Sequence, residues 1–168
     1  MTETILMPLT LLLPILMQIT PTPPMPKGTG LPPPVTVIDD STAIMSPINA
    51  TFAAIAARNG ELLRPVVRED GNLFIANEAA DGTRRIVHRP MAEFINGLKP
   101  GPEKYEERMY DPAIEIDGDV ALVWGRYNFY IDGKLHHCGY DHFDLVRDNG
   151  NWKIANITYS SRTTGCAG

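Results

Sequence analysis

Four strand-like segments follow one another near the end of this chain: Tyr105–Ile116, Val120–Ile131, Leu135–Arg147 and Trp152–Ser161. They are joined by Asp117-Gly118-Asp119, Asp132-Gly133 and Asp148-Asn149-Gly150. Asp, Asn and Gly accept the positive φ that short hairpin turns require, so these segments must pair as an antiparallel meander. Side chains alternate between the two faces of each strand. On the second segment Ala121, Val123, Gly125, Tyr127 and Phe129 form the small and apolar face, while Trp124, Arg126, Asn128 and Tyr130 form the other. Ala155, Ile157 and Tyr159 share a face of the last segment. On the third, the Asp141 carboxyl shares its face with Phe143 and Leu145. A carboxylate turned into an apolar layer is costly unless it is protonated or partnered. Asp141 is therefore the leading candidate for a functional site.

Upstream of the meander, Ile48, Phe52, Ile55 and Ala56 fall on one face of a helix that Asp40 or Ser46 can cap and Asn59-Gly60 ends. A second short helix is expected over Glu61–Val67 and a third over Met91–Gly97. Between them, Asn72–Asn77 and Thr83–Arg89 read as strands around an Asp81-Gly82 hairpin signal. Helices segregated on one face of a mostly antiparallel sheet make an α+β domain. The expected architecture is a cone: a curved six-strand sheet with about three helices over its concave face. A cavity between the layers is where a ligand would go.

The domain occupies residues 46–162, with a short tail at 163–168. Residues 1–47 hold ten of the 15 prolines, and the first cation is Lys27. Ile5–Ile19 is an apolar run of signal-peptide length, too short for a stable membrane span. Glu3 in place of a cation, Pro8 and Pro14 within the run, and the lack of an Ala-x-Ala site fit export poorly. Pro21–Pro34 reads as an extended linker. Residues 1–45 are accordingly expected to be a disordered leader. A periplasmic or secreted location follows if residues 1–25 act as a signal segment, and a cytoplasmic one otherwise. A net charge of −5 leaves no basic stripe for nucleic acid. No Cys/His spacing matches a metal site, no nucleotide motif is present, and no cofactor is expected. A bridge between Cys138 and Cys166 is open to an exported chain, although Cys166 lies in a tail expected to be loose.

The element order, together with Gly150-x-Trp152-x-Ile154 and the helix pattern Phe52-Ala-Ala-Ile-Ala-Ala-Arg-Asn-Gly60, resembles the nuclear transport factor 2-like superfamily. That group includes ketosteroid isomerase and the SnoaL-like cyclases, and its fold is the cystatin-like α+β barrel. Asp141-His142-Phe143 is similar to the strand that carries the oxyanion-hole acid of ketosteroid isomerase. The resemblance also departs from the pattern. The family's helix tyrosine falls at Phe52, and its general-base aspartate falls near Ala76 or Asn77, with Glu78 the nearest carboxylate. Ketosteroid isomerisation is not expected for that reason.

The resemblance implies a cofactor-free isomerase, lyase or cyclase that moves protons on a small apolar carbonyl or hydroxylated compound. Asp141 would stabilise an oxyanion, and His137 or Glu78 would carry the proton. Tyr127, Tyr159, Phe129, Phe52 and Phe143 would contact the substrate, and His88 would sit at the cavity mouth. Glu106, Glu107 and Arg108 read as a charged strand edge. The competing expectation is a non-catalytic binding module of the same fold. Trp124, Arg126 and Tyr130 on the outer sheet face suit a homodimer contact.

Overall fold

The computed structural model describes residues 40–166. The apolar run Ile5–Ile19 and the proline-rich stretch Pro21–Pro34 lie outside these residues. The first helix, α1 (Asp40–Ala56), buries Ile44, Ile48, Thr51, Ala54 and Ile55 at helical spacing. It starts at Asp40, so residues 40–45, counted with the leader on proline content, form its first turns. Pro47 has no N–H to give the helix ladder, and the Thr51 hydroxyl donates to the Pro47 carbonyl at 2.9 Å. Arg58, at φ 50°, turns the chain out of the helix.

The second helix expected from the sequence is only a 3-10 turn, Gly60–Leu62, whose first N–H groups are capped by the Asn59 side chain (Glu61 N to Oδ1, 3.1 Å). Pro65 explains the shortfall: it lacks an N–H, and its ring would clash with the Glu61 carbonyl. Two α-helices, not three, are therefore present among the described residues. The remaining elements are β1 (Val67–Glu78), β2 (Arg84–Pro90), α2 (Met91–Gly97), β3 (Tyr105–Asp117), β4 (Val120–Ile131), β5 (Lys134–Asp148) and β6 (Asn151–Arg162). β1 begins five residues before the expected Asn72, and the meander strands lie within one residue of their expected ends.

The six strands form one sheet in the order β2-β1-β6-β5-β4-β3. All neighbours are antiparallel except β1 and β6, which run parallel. β2 and β3 are the two edges, so the sheet is open and does not close into a barrel. α1 contacts β3 and β6, and α2 contacts β1. The core between the layers joins Ile44, Ile48 and Leu63 to Leu73, Val123, Phe143, Leu145, Ile154 and Ile157. Each such side chain stabilises the fold by about 1.5–3 kcal/mol through removal from water.

Two bulges adjust the faces. Around Ala155 the β5–β6 register shifts, which lets both Ile154 and Ile157 reach the core and takes Ala155 out of line with them. In β5, His136 is the extra residue between the Phe129–His137 and Tyr130–Leu135 pairs. Gly139 marks the closest backbone approach beside the cavity described below. A Cβ there would lie 1.9 Å from the Ser160 carbonyl oxygen, backbone against backbone. Gly139→Ala is expected to force β5 and β6 apart and to lower stability by about 3 kcal/mol, at the upper end of overpacking costs. Urea denaturation measures it, and an unchanged midpoint would show that the two strands give way freely.

Candidate functional site

α1, α2 and the sheet enclose a cavity of about 210 Å³. α1 supplies Thr51, Phe52 and Ile55, and the end of α2 supplies Phe94 with Leu98 just beyond it. The sheet supplies Leu73, Ile157 and Tyr159 on one side and Tyr105, Glu107, Tyr127, Phe129, His137, Asp141 and Phe143 on the other. Seven of the side chains singled out from the sequence therefore meet here: Asp141, His137, Tyr127, Tyr159, Phe129, Phe52 and Phe143. Phe52 and Phe143 touch edge to face, with ring centroids 6.1 Å apart.

Asp141 is 2% exposed, at the centre of β5 opposite Gly125 of β4 and Tyr159 of β6. Its Oδ2 is buried and meets no hydrogen-bond donor among the described residues. Glu107, one strand beyond β4, reaches the same point, and the two carboxyls share a hydrogen bond. Two carboxyl groups can bond to each other only if one carries a proton. Burial raises the Asp141 carboxyl well above its ordinary range, and the Glu107 charge and hydrogen bond add to that rise. Burial also lifts Glu107, to about 7, against a smaller downward pull from the bond to Asp141. Asp141 is thus biased toward its neutral acid form, and Glu107, at about 7, is poised between acid and base.

Glu107 was not expected here, because its neighbours made it look like surface. Glu106 and Arg108 do point outward and pair at 2.5 Å. The signal was alternation: Tyr105, Glu107 and Met109 share a face, paired with Ile131, Phe129 and Tyr127 of β4.

The other polar groups around this pair are uncharged at neutral pH. Tyr127 is buried, and its hydroxyl donates to the Ser160 carbonyl at 2.9 Å. Burial, then the nearby Asp141 and Glu107, hold that phenol far above its usual range. Tyr159 packs edge-on against it at 6.1 Å, and burial followed by the Glu107 charge pushes its hydroxyl up to about 12. His137 stacks on Phe129 at 4.8 Å. Its burial, reinforced by His136, lowers it to about 4, so its ring is neutral. Its Nδ1 lies 2.9 Å from Nδ1 of His136.

Two expected site residues are elsewhere. Glu78 ends β1 outside the cavity and forms an ion pair with Arg84 at 2.9 Å, since the register sets it beside Arg84 and Arg162. His88 is exposed on the edge strand β2, stacked on Phe74 at 4.9 Å and bonded to Asn72 at 2.8 Å. It does not line the cavity mouth. On the outer face Trp124, 47% exposed, stacks on Tyr140 at 5.2 Å. Cys138 and Cys166 are joined by a disulfide, so the end of the tail is tied to β5. Among the described residues no group of three or more His, Cys, Asp or Glu could hold a metal ion. None of the described helices is long and apolar enough to cross a membrane.

The pair has a measurable signature in stability. Its folded-state pKa values lie above those of the unfolded chain, so the native state binds more protons and loses stability as pH rises. For Glu107 the window runs from the ordinary 4.5 up to about 7. His137 acts in the opposite sense, costing stability as pH falls from 6.5 toward about 4. The two therefore mask each other in the unaltered protein, and the difference from a variant isolates the pair. Glu107→Gln is expected to gain on the order of 3 kcal/mol relative to the unaltered chain on going from acid to above neutral pH. Chemical denaturation across that range checks it, and a pH-independent difference would mean that Glu107 titrates normally.

Residues 39–160 match the family described as "Putative lumazine-binding". No curated protein matches the sequence. Among solved structures, the chain is similar to a nuclear transport factor 2-like superfamily protein from Salmonella enterica (18% identity, TM-score 0.56, covering 77% of this chain and 97% of that one). It is also similar to a protein of the same fold type from Cytophaga hutchinsonii (16%, TM-score 0.59, 74% and 99%). A protein with a cystatin-like fold from Nostoc punctiforme matches at 13% identity and TM-score 0.56, over 74% and 92% of the two chains. These likenesses concern the fold. With a nuclear transport factor 2-like fold and a match over residues 39–160, the chain belongs to the family described as "Putative lumazine-binding".

Proposed function

We propose that the cavity binds a small, mostly apolar carbonyl or hydroxylated compound and moves a proton on it, as an isomerase, lyase or cyclase would. The observation that carries this reading is the hydrogen-bonded Glu107–Asp141 pair inside an otherwise apolar cavity. Asp141, held neutral, is suited to donate a hydrogen bond to an oxygen on which charge develops. Glu107, with a pKa of about 7, is suited to take up the proton in the same step, because a base works best near the ambient pH. Tyr159 and Phe129 would flank the substrate, and the neutral His137 would accept or donate a hydrogen bond at its edge. The proton-carrying role expected for Glu78 passes to Glu107. Proton exchange offers a test that needs no knowledge of the natural substrate. A small apolar ketone, 2-tetralone, is incubated with the protein in deuterated water, and loss of its α-proton signals is followed. Catalysed exchange that disappears in Glu107→Gln supports the reading, and exchange at the buffer rate overturns it for carbonyl compounds.

The second reading, binding without turnover, is favoured by the family's description, which names lumazine binding and no reaction. A planar heterocycle of that type would suit the aromatic walls, and its amide edge would meet the carboxyl pair. Retained binding with no catalysed exchange distinguishes this case. The Cys138–Cys166 bridge supports export, because disulfides persist mainly in oxidising compartments. The exposed Trp124–Tyr140 stack supports a homodimer through the outer sheet face.

A further inference from the structure

The charge inventory of the cavity is one-sided. Glu107 and Asp141 are its acidic groups, and no Lys or Arg lines it. Facing the pair are Tyr127 of β4, Tyr159 of β6, His137 of β5 and Tyr105 of β3, while α1 and α2 bring no titratable side chain. Arg58 lies over the Tyr105 ring at 4.3 Å but is committed to Glu103. Arg89 acts on the pair's surroundings only through Tyr159. A buried acid, Asp141, and a half-buried one, Glu107, thus share a cavity that no cation lines among the described residues.

We propose that this cavity takes a small organic amine as its ammonium ion, held by the Glu107–Asp141 carboxyl pair against the aromatic walls. Three features converge on that class. Oδ2 of Asp141 is a buried acceptor with no donor among the described residues, and an ammonium N–H supplies one. The pair keeps its proton because no positive charge is near, and a bound cation provides that charge and releases the proton. Seven phenylalanine and tyrosine rings line the cavity with the acids, and aromatic faces attract desolvated cations. A carboxylate or phosphate ligand meets only repulsion and loses its hydration. The proposal rests on the cavity being the ligand site, as argued above, and not on any turnover within it.

Three compounds of matched shape make the test: 2-naphthylmethylamine, 2-naphthylmethanol and 2-naphthoate, titrated into the full-length protein by calorimetry. The amine is expected to bind at least about tenfold more tightly than the alcohol above neutral pH, in line with a buried charge pair plus cation–π attraction. Its affinity should fall by up to about tenfold per pH unit below about 7, as the pair regains its proton. Repeating the titration in buffers of different ionisation enthalpy should show proton release on binding. In Glu107→Gln the amine's advantage over the alcohol should vanish. The proposal is overturned if the alcohol binds as tightly as the amine, if the amine's affinity is flat with pH, if Glu107→Gln keeps the preference, or if none of the three binds. Alcohol binding without an amine preference would leave the carbonyl reading standing, since α-proton exchange is measured separately.

Discussion

Asp141→Asn is expected to slow α-proton exchange by about a hundredfold or more, the scale for losing one oxyanion donor from a site closed to water. Asparagine keeps the shape and still offers an N–H, so the loss reports the acid proton and not a cavity. Glu107→Gln should cost about as much or more, because a positioned base contributes roughly 10²–10⁴-fold. The double variant should fall well short of the product of the two effects, since each group's protonation depends on the other. In the unaltered protein the rate should rise with pH and level off above about 7, where Glu107 becomes ionised. That limb should be missing from Glu107→Gln. Exchange rates of 2-tetralone read all of this, and an Asp141→Asn protein that exchanges as fast as the original would remove Asp141 from the chemistry.

Loss of the disulfide is the second large effect. Cys138 and Cys166 are 28 residues apart. A loop of that size removes enough freedom from the unfolded chain to stabilise the native state by about 3 kcal/mol in the entropy treatment. Cys166→Ser should lower stability by that order, with a drop of several degrees in the unfolding midpoint. The thiol left at Cys138 is 3% exposed, so it should stay unreactive until the chain unfolds. Differential scanning calorimetry of the oxidised protein and the variant checks the difference. Equal midpoints would mean that the tail contributes nothing to the cooperative unit.

The sequence was most informative where one local rule governed the outcome. Three turns rich in Asp, Asn and Gly defined the meander, with positive φ found at Gly118, Asp132, Gly133, Asn149 and Gly150. Period-two alternation then placed Asp141, Phe143, Tyr127 and Tyr159 toward the helices, where they lie. It failed where several strands had to be known at once. Glu78 was singled out as the carboxylate nearest the family's general-base position, and the register of β1 against β2 and β6 delivers it to arginines. Glu107 was overlooked because adjacent charges suggest solvent, whereas a strand separates neighbours onto opposite faces. Pro65 was the warning against a helix through Val67. The disulfide could not be read from spacing, because it depends on where a tail returns after four strands.

The parallel pairing of β1 with β6 has a consequence for biogenesis. Asn72 finds its neighbour in Asn156, 84 residues further along the chain. Until that last strand leaves the ribosome, β1 and β2 are an orphan hairpin with a greasy flank and no place to dock. The decisive pairing is therefore a long-range one, and slow by the measure of contact separation. A cell making this polypeptide must shield the early hairpin until its C-terminal mate arrives.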